Sequence, residues 1–336
     1  MFCPADLGRL GPVRMRAVQS RVAAAAVIVI AAALALTDCS HAKKAPTIKS
    51  TVRPGVAPVP PSQGAYFGAR VEQRQGTARF EKGLGREMDI VSAYRSWDQP
   101  FPGQSDLAAL GADRFLMLSW DGGDIRAILS GGQDTVIRQQ ARAVKAIGKP
   151  LFLRWRREMD RREIRKEIGS PADYVAAWKH IREIFRQEKA DNAAWIWCPS
   201  AKGFVSSSAA AYYPGDDQVD WLCADVYPEP PGEYVELAQL VTPFLDWARV
   251  RPKPIMIGQF GVPRAYGSRR AEWLRKAAQT LQDPRIKAVV YDNDDVVAQG
   301  VRTRYSLDGD QPAMSAMREL ATTPHFNPRN LPVSSG

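Results

Sequence analysis

The feature that most constrains this chain is a regular alternation of short apolar runs with longer amphipathic segments, which begins near residue 64. Eight apolar runs have the length of a strand and occupy residues 65–71, 89–95, 115–121, 150–156, 193–199, 219–227, 254–260 and 287–293. The clearest helical segments lie between or after them, at residues 133–147, 171–187, 234–249 and 268–282. Strands that alternate with helices predict parallel β/α units, and eight units in one domain predict a (β/α)8 TIM barrel.

The helix predicted at 171–187 has the best local signals. Tyr174, Trp178, Ile181 and Phe185 recur at three- and four-residue spacing, which predicts an apolar face packed against the barrel. Ser170 precedes Pro171, with Asp173 in the first turn, and this order is typical of a capped helix start. We place the barrel at residues 64–326 and a C-terminal tail at residues 327–336.

The first 39 residues have the pattern of a targeting segment. Arg14, Arg16 and Arg21 precede an apolar run at residues 22–36, which is shorter than the roughly 20 residues of a membrane span and suits a signal peptide. Cys39 follows in a context that resembles a bacterial lipobox, although Asp38 departs from that pattern. Cleavage after residues 33–35 and an uncleaved anchor are alternatives. A Pro-rich linker at residues 40–63 follows, so we expect an exported protein, secreted or attached to the cell envelope.

The charge balance and the few cysteines and histidines limit the partners. The formal net charge is +10, and loss of residues 1–39 removes four basic and two acidic residues, which leaves +8. A basic exported protein suits acidic polymers or an anionic membrane surface, while no motif indicates nucleic acid. Cys198 and Cys223 could form a disulfide or remain two buried thiols. Three His without metal-ligand spacing predict no metal or cofactor, and we expect a monomer.

The candidate site begins in residues 149–160, where an apolar strand turns abruptly charged. Active sites of α/β barrels lie at the carboxyl ends of the strands, so Glu158 is predicted at a barrel mouth, where it can act as a general acid. The alternative is a surface strand end with solvated charges.

Arg154 followed by Glu158-Met159-Asp160 resembles glycoside hydrolase family 26, the group that includes the β-mannanases. The resemblance extends over residues 64–326, through similar segments at residues 118–121, 195–200, 213–216, 220–227 and 253–261. It implies a polysaccharide ligand, with Glu158 as the acid/base and with Arg154 and Tyr227 orienting the nucleophile position.

Gln259 stands where the family has its nucleophilic Glu. Retaining hydrolysis needs an anionic carboxylate about 5–5.5 Å from the acid, and an amide is uncharged and a very poor nucleophile. Asp121 or Asp225, each at a predicted strand end, could supply the missing carboxylate. A separation of about 6.5–9.5 Å from Glu158 would allow an inverting reaction instead.

The loop after strand 4 differs from the family pattern, and several aromatic residues have two possible roles. Arg157 replaces a common His, and residues 154–166 contain seven basic and three acidic residues. This cluster could receive anionic groups of a glycan, or it could form local ion pairs with Glu163 and Glu167. The candidates for stacking on sugar rings, each with core packing as the alternative, are Trp97, Trp155, Trp197 and Tyr227.

Three functions follow from these features. The leading one is an exported endo-glycosidase of the β-mannanase type, and the alternative is a carbohydrate-binding protein that lost hydrolysis through Gln259. The third is a structural lipoprotein in which the groove of the barrel has no role. It would be favoured if Glu158 were buried in an ion pair with Arg154 or Arg157 without an open cleft.

Overall fold

The computed structural model describes residues 55–334, except for 72–75, 102, 104–106, 109, 112, 229–232 and 299–300. The predicted signal segment, Cys39 and most of the linker lie outside this part of the chain. No helix within it is long and apolar enough to cross a membrane.

The core of the molecule is a closed barrel of eight parallel strands, paired in sequence order with the eighth beside the first. The strands are β1 (Tyr66–Val71), β2 (Ile90–Ser96), β3 (Phe115–Asp121), β4 (Leu151–Trp155), β5 (Ala193–Trp197), β6 (Trp221–Val226), β7 (Ile255–Phe260) and β8 (Ile286–Asn293). A two-stranded antiparallel ribbon follows, made of β9 (Asp295–Ala298) and β10 (Val301–Arg304). The predicted TIM barrel is confirmed, with strand ends within two residues of the expected ones.

Helices surround this barrel on the outside. They are α1 (Thr77–Leu84), α2 (Ile125–Leu129), α3 (Asp134–Ile147), α4 (Arg162–Ile168), α5 (Pro171–Gln187), α6 (Lys202–Val205), α7 (Leu237–Ala248), α8 (Arg270–Thr280) and α9 (Gln311–Thr322). Short 3-10 turns occupy Ala209–Tyr212, Asp216–Gln218, Arg264–Arg269 and Pro324–Phe326.

Capping decides where two of the predicted helices begin. The Ser170 hydroxyl accepts from the Asp173 amide, and the Asp173 carboxylate accepts from the Ser170 amide, so α5 begins at Pro171 as predicted. Helix α7 begins at Leu237, three residues after the predicted start, because Glu236 forms its own capping box with Gln239.

The two-residue period of a strand separates two apolar layers. On β4, Phe152 points into the barrel, while Leu151, Leu153 and Trp155 face the helices. The residues that point inward fill the barrel interior, and they include Tyr66, Phe115, Met117, Phe152, Ile196, Trp221 and Met256. This alternation fixes which strand-end side chains can reach the mouth.

Cys198 and Cys223 form a disulfide inside the barrel. Of the two states expected from the sequence, a disulfide or two buried thiols, the structure has the disulfide. Gly258 on β7 lies against it. A Cβ atom at residue 258 would come within 2.2 Å of the Cys223 sulfur, so a larger residue there would displace the disulfide.

Candidate active site

The carboxyl ends of five strands bring polar side chains together at one end of the barrel. Tyr94 comes from β2, Arg154 from β4, Asp225 from β6, Gln259 from β7 and Asp292 from β8. All but Tyr94 have at most 2% of their surface exposed. Asp225 and Gln259 are register partners on neighbouring strands. The structure therefore joins Arg154, Asp225 and Gln259, which are far apart in sequence, at the expected place.

Glu158 lies in the loop between β4 and α4, with its side chain 8% exposed. Its Oε2 is 2.8 Å from Arg157 Nη1, and its Oε1 is 2.8 Å from Arg161 Nε. Both carboxylate oxygens therefore face a guanidinium group. The residue has a φ of +52°, a left-handed conformation that is uncommon for Glu and is often found at functional sites.

The loop that carries Glu158 is fixed at several points. The Glu158 amide donates to the Cys198 carbonyl at 2.8 Å, and the Ser200 amide donates to Asp160 Oδ1 at 2.8 Å. Arg156 donates to the Gly122 carbonyl at 2.9 Å, and its Nη1 pairs with Glu167 at 3.1 Å. These contacts explain how a charged loop holds a buried carboxylate in an unusual backbone conformation.

Arg154 and Asp225 form an ion pair inside the barrel, with 2.7 Å between Arg154 Nη1 and Asp225 Oδ1. Arg154 Nε donates to the Ser119 hydroxyl at 2.9 Å. Burial raises the pKa of Asp225 to about 7, although Arg154 acts in the opposite direction. Asp225 Oδ2 has no hydrogen-bond partner among the described residues. This carboxyl can therefore exist in either protonation state near neutral pH.

Gln259 presents its side-chain carbonyl to two tyrosines. Oε1 accepts from the Tyr94 hydroxyl and, at 3.2 Å, from the Tyr227 hydroxyl. Within the described part of the chain, Nε2 has no partner. The tyrosines could equally donate to a carboxylate, so the surroundings suit either an amide or an acid.

A second layer supports this arrangement, and the sequence reasoning did not identify it. The single proton of the Tyr227 hydroxyl is shared between Gln259 Oε1 at 3.2 Å and Asp292 Oδ2 at 2.8 Å, and Asp292 Oδ1 pairs with Arg70 at 3.2 Å. The guanidinium groups of Arg70 and Arg157 each lie 4.7 Å from the centre of the Tyr94 ring. Arg70, Tyr94 and Asp292 stand near the ends of predicted strands, which was the signal that could have marked them.

A cavity of about 350 Å³ opens beside Glu158, at the ends of β3 and β4 and against α4. Its charged lining consists of Asp121, Arg156, Arg157, Glu158, Arg161, Glu163 and Glu167. Gln259, Tyr94 and Tyr227 do not line it. Four carboxyl groups thus face three guanidinium groups. Local ion pairing dominates this loop, and Arg156–Glu167 is one of the pairs that the sequence offered as the alternative to anion binding.

Asp121 lies at the rim of this cavity, with 41% of its side chain exposed. Its Oδ2 is 3.8 Å from Arg157 Nε, a distance typical of a weak, solvated ion pair. Asp121 and Glu158 are therefore two carboxyl groups that share one opening.

Two of the tryptophans expected to stack on sugars do not reach the mouth. Trp155 is fully buried and stacks on Tyr174 of α5, with ring centres 5.3 Å apart. Trp197 is also fully buried and packs on Tyr213 and on Trp247 of α7. The expectation fails because both residues occupy strand positions whose side chains point to the helix layer.

Trp97 and Tyr227 differ from these two. Trp97 is 8% exposed, stacks on Trp120 at 4.1 Å and donates from its indole nitrogen to Gln133. It therefore packs mainly as a core residue. Tyr227 remains at the mouth, where burial raises the pKa of its hydroxyl well above the usual value. Its hydroxyl is thus a stable hydrogen-bond donor at neutral pH.

One group of potential metal ligands lies here among the described residues, formed by Cys198, Cys223 and Asp225. The two sulfurs are joined in the disulfide, and Asp225 already binds the Arg154 guanidinium. A cation would have to displace that positive group, so these residues do not suit a metal.

Comparison with known proteins gives distant relatives. No model of a known protein family matches the sequence. Endoglucanase H from Acetivibrio thermocellus is 24% identical over 283 residues, which are 79% of this chain and 31% of that protein. A β-1,3-xylanase from a Vibrio species is 24% identical over 172 residues, or 48% of this chain and 35% of that protein. The chain spans about a third of the length of these relatives.

Solved structures share the fold. GH26C from a Muricauda species superimposes with a TM-score of 0.63 at 16% identity, covering 80% of this chain and 88% of that one. A GH26 β-mannanase from Bacteroides ovatus gives a TM-score of 0.61 at 13% identity, covering 80% and 90%. The barrel is thus of the type found in glycoside hydrolases of family 26.

Proposed function

We propose that this chain is a polysaccharide-binding barrel of the family 26 type that no longer carries out retaining hydrolysis. The observation that carries the proposal is the amide of Gln259, which accepts from Tyr94 and Tyr227 at the strand end where the sequence resemblance puts that family's carboxylate. An uncharged amide cannot attack a sugar carbon to form a glycosyl intermediate.

The same amide is well suited to recognition. Its oxygen is used by the tyrosines, while Nε2 lacks a partner among the described residues and can donate to a sugar oxygen. The Asp225 carboxyl on the neighbouring strand can accept from a hydroxyl through its free Oδ2. A sugar hydroxyl both donates and accepts, so it complements Gln259 Nε2 as the donor and Asp225 Oδ2 as the acceptor. Ligand entry has to separate these two buried side chains from their surroundings.

The contacts of the Glu158 carboxyl group also favour binding over proton transfer. A general acid must carry a proton and present it to the leaving oxygen. Here both oxygens of Glu158 lie 2.8 Å from guanidinium nitrogens. Arg157 donates a hydrogen bond to Oε2 and Arg161 lies in ion-pair contact with Oε1, so one of these guanidinium groups would have to move before a leaving oxygen could approach the carboxyl group.

The ligand class is a neutral polysaccharide. Relatives named as endoglucanase, β-1,3-xylanase and β-mannanase make glucans, xylans and mannans the candidates to test. The guanidinium groups beside Glu158 are outnumbered by carboxyl groups in the cavity lining, which disfavours an anionic substituent at this place. The targeting pattern of residues 1–39 supports an exported protein, with Cys39 as a candidate lipid attachment site.

An inverting hydrolase is the second candidate, since Glu158 and Asp121 line one cavity. An inverting enzyme needs an acid and a base that are about 6.5–9.5 Å apart and flank a water molecule. In this reading Asp121 activates the water and Glu158 protonates the leaving oxygen. It requires no carboxylate at residue 259.

The test uses the full-length chain with manno-, gluco- and xylo-oligosaccharides, and measures both binding by calorimetry and release of reducing ends. The variants are Gln259→Glu and Glu158→Gln, with Gln279→Glu as a matched control, because Gln279 is exposed on α8. We expect the parent to bind one of these glycans without cutting it. Gln259→Glu should bind the same glycan, and any cleavage that it gains should be absent from Gln279→Glu.

The outcomes separate the candidates. Cleavage by the parent that Glu158→Gln abolishes would contradict the binding proposal and support the inverting enzyme, and inverted product stereochemistry would then establish the mechanism. Absence of binding to every glycan tested would contradict both candidates.

A further inference from the structure

A second cavity, of about 500 Å³, lies outside the barrel mouth. Helices α1 and α9 and the segment 307–309 surround it. Its volume falls within the range of about 300–1,000 Å³ that is typical of ligand sites. None of the mouth residues described above lines it, so it is a separate place on the molecule.

The charge around this cavity is predominantly positive. Arg79, Lys82 and Arg318 line it, with Asp308 as the acidic residue of the lining. Arg79 pairs with Asp308 at 2.8 Å. Lys82 and Arg318 have no ion pair with any carboxylate in the described residues. Two positive groups are therefore left without an anionic partner, in contrast to the paired arginines beside Glu158.

Arg318 is held in place by the chain around it. Gly85 ends α1 with a φ of +76°, and a Cβ atom there would lie 2.5 Å from the Arg318 guanidinium carbon. The absence of that atom lets the guanidinium rest against the end of α1. Its Nη2 donates to the Ser334 carbonyl, whose residue is itself tied to the Gly85 carbonyl at 2.8 Å. The guanidinium is thus fixed beside the cavity, and its remaining N–H groups can serve a ligand.

The floor of the cavity is apolar. Phe80 and Leu307 are almost fully buried, and Met314 is half-buried beside them. Gly83 lets α1 and α9 approach closely, because a Cβ at residue 83 would lie 3.1 Å from the Met314 sulfur. An apolar floor with cationic groups at the rim suits a ring with an apolar face and an anionic substituent.

We propose that this cavity binds an anionic saccharide unit, one that carries a carboxylate or a sulfate group, with Lys82 and Arg318 contacting the charged group. The inference goes beyond the function proposed for the mouth and does not depend on it. It also provides a binding site for an anionic polymer. The net charge suggests such a partner, while the carboxyl-rich cavity beside Glu158 disfavours it. The sugar ring would rest on Met314, the half-buried residue of the floor.

The experiment measures binding of four probes to the full-length chain by calorimetry: an oligogalacturonate, a sulfated oligosaccharide, a neutral manno-oligosaccharide and inorganic phosphate. The test variant is Lys82→Gln with Arg318→Gln. The control is Lys179→Gln with Arg249→Gln, which removes two positive charges from exposed positions on α5 and next to α7. Circular dichroism checks that each variant is folded, and the single variant Lys82→Gln provides a second test at an exposed position.

We expect at least one anionic oligosaccharide to bind the parent and the test variant to raise its Kd about tenfold or more, since a charge-assisted contact contributes over 1.4 kcal/mol. Lys82→Gln alone should also raise the Kd, and the control pair should change the Kd little. The preferred probe distinguishes carboxylate from sulfate.

Three results would overturn the proposal: no binding of either anionic oligosaccharide, equal losses in the test and control variants, or binding of phosphate without either oligosaccharide, which would mean an adventitious ion only. Binding of the neutral probe reports on the mouth, so the two proposals fail separately.

Discussion

Asp225 should make the stability of the protein depend on pH in an unusual direction. It is 2% exposed, and burial raises its pKa to about 7 despite the ion pair with Arg154. The substitution Asp225→Asn removes the titrating group while keeping the shape and one acceptor oxygen for Arg154. A comparison of the two proteins therefore isolates the titration of this carboxyl.

The size of the effect follows from proton linkage. An Asp in the unfolded chain has a pKa near 3.9, so between about pH 4 and pH 7 the folded protein holds one proton more at this site than the unfolded chain. The contribution of Asp225 to stability is therefore complete below about pH 4 and is lost as the pH rises through about 7. Each pH unit corresponds to roughly 1.4 kcal/mol, which gives an upper bound of about 4 kcal/mol over this window.

Urea unfolding of both proteins between about pH 5 and pH 8 tests this prediction. The advantage of the parent over Asp225→Asn in free energy of unfolding should fall by about 1 kcal/mol per pH unit up to pH 7, and then level off. Asp246→Asn is the control, because that carboxylate is 58% exposed in an i,i+3 pair with Arg249. A difference that stays constant with pH would refute the reasoning, since it would mean that Arg154 keeps Asp225 ionised throughout.

Three further predictions concern packing, capping and the disulfide. Trp155→Ala should lower the free energy of unfolding by about 3–5 kcal/mol by chemical denaturation, because it empties a site stacked on Tyr174, whereas Trp155→Phe should leave glycan affinity at the mouth unchanged. A large loss of affinity in a folded Trp155→Phe protein would contradict its assignment to the helix layer. Ser170→Ala should cost about 1 kcal/mol in thermal unfolding through loss of the α5 cap, and no change would mean that the capping contact contributes nothing. Replacing both Cys198 and Cys223 by Ala should cost about 3 kcal/mol, given their separation of 25 residues. Reductant should destabilise the parent but not this double variant, and equal sensitivity would argue against the bond.

The barrel could be predicted from sequence because its signals are local. Each strand is a short apolar run, and the N-terminal cap of α5 is formed by residues within one turn of each other. Parallel strands must have their carboxyl ends on one side, so the approximate place of Glu158, Asp225 and Gln259 followed from chain order. The identity of residue 259 as an amide is likewise a fact of sequence, and an amide cannot serve as the nucleophile of a retaining reaction.

The contacts at the mouth were decided by the tertiary structure. The pairing of Arg154 with Asp225, which lie 71 residues apart, and of Arg70 with Asp292, 222 residues apart, could not be inferred from sequence. The direction in which the Trp155 and Trp197 side chains point depends on strand register. A shift of one residue would turn these side chains from the helix layer to the opposite face of the sheet. Whether the basic loop binds an anion depends on which carboxyl groups fold against it. The sequence therefore determined the barrel and the amide at residue 259, whereas the tertiary structure decided which charges pair across the barrel and which side chains point to the helix layer.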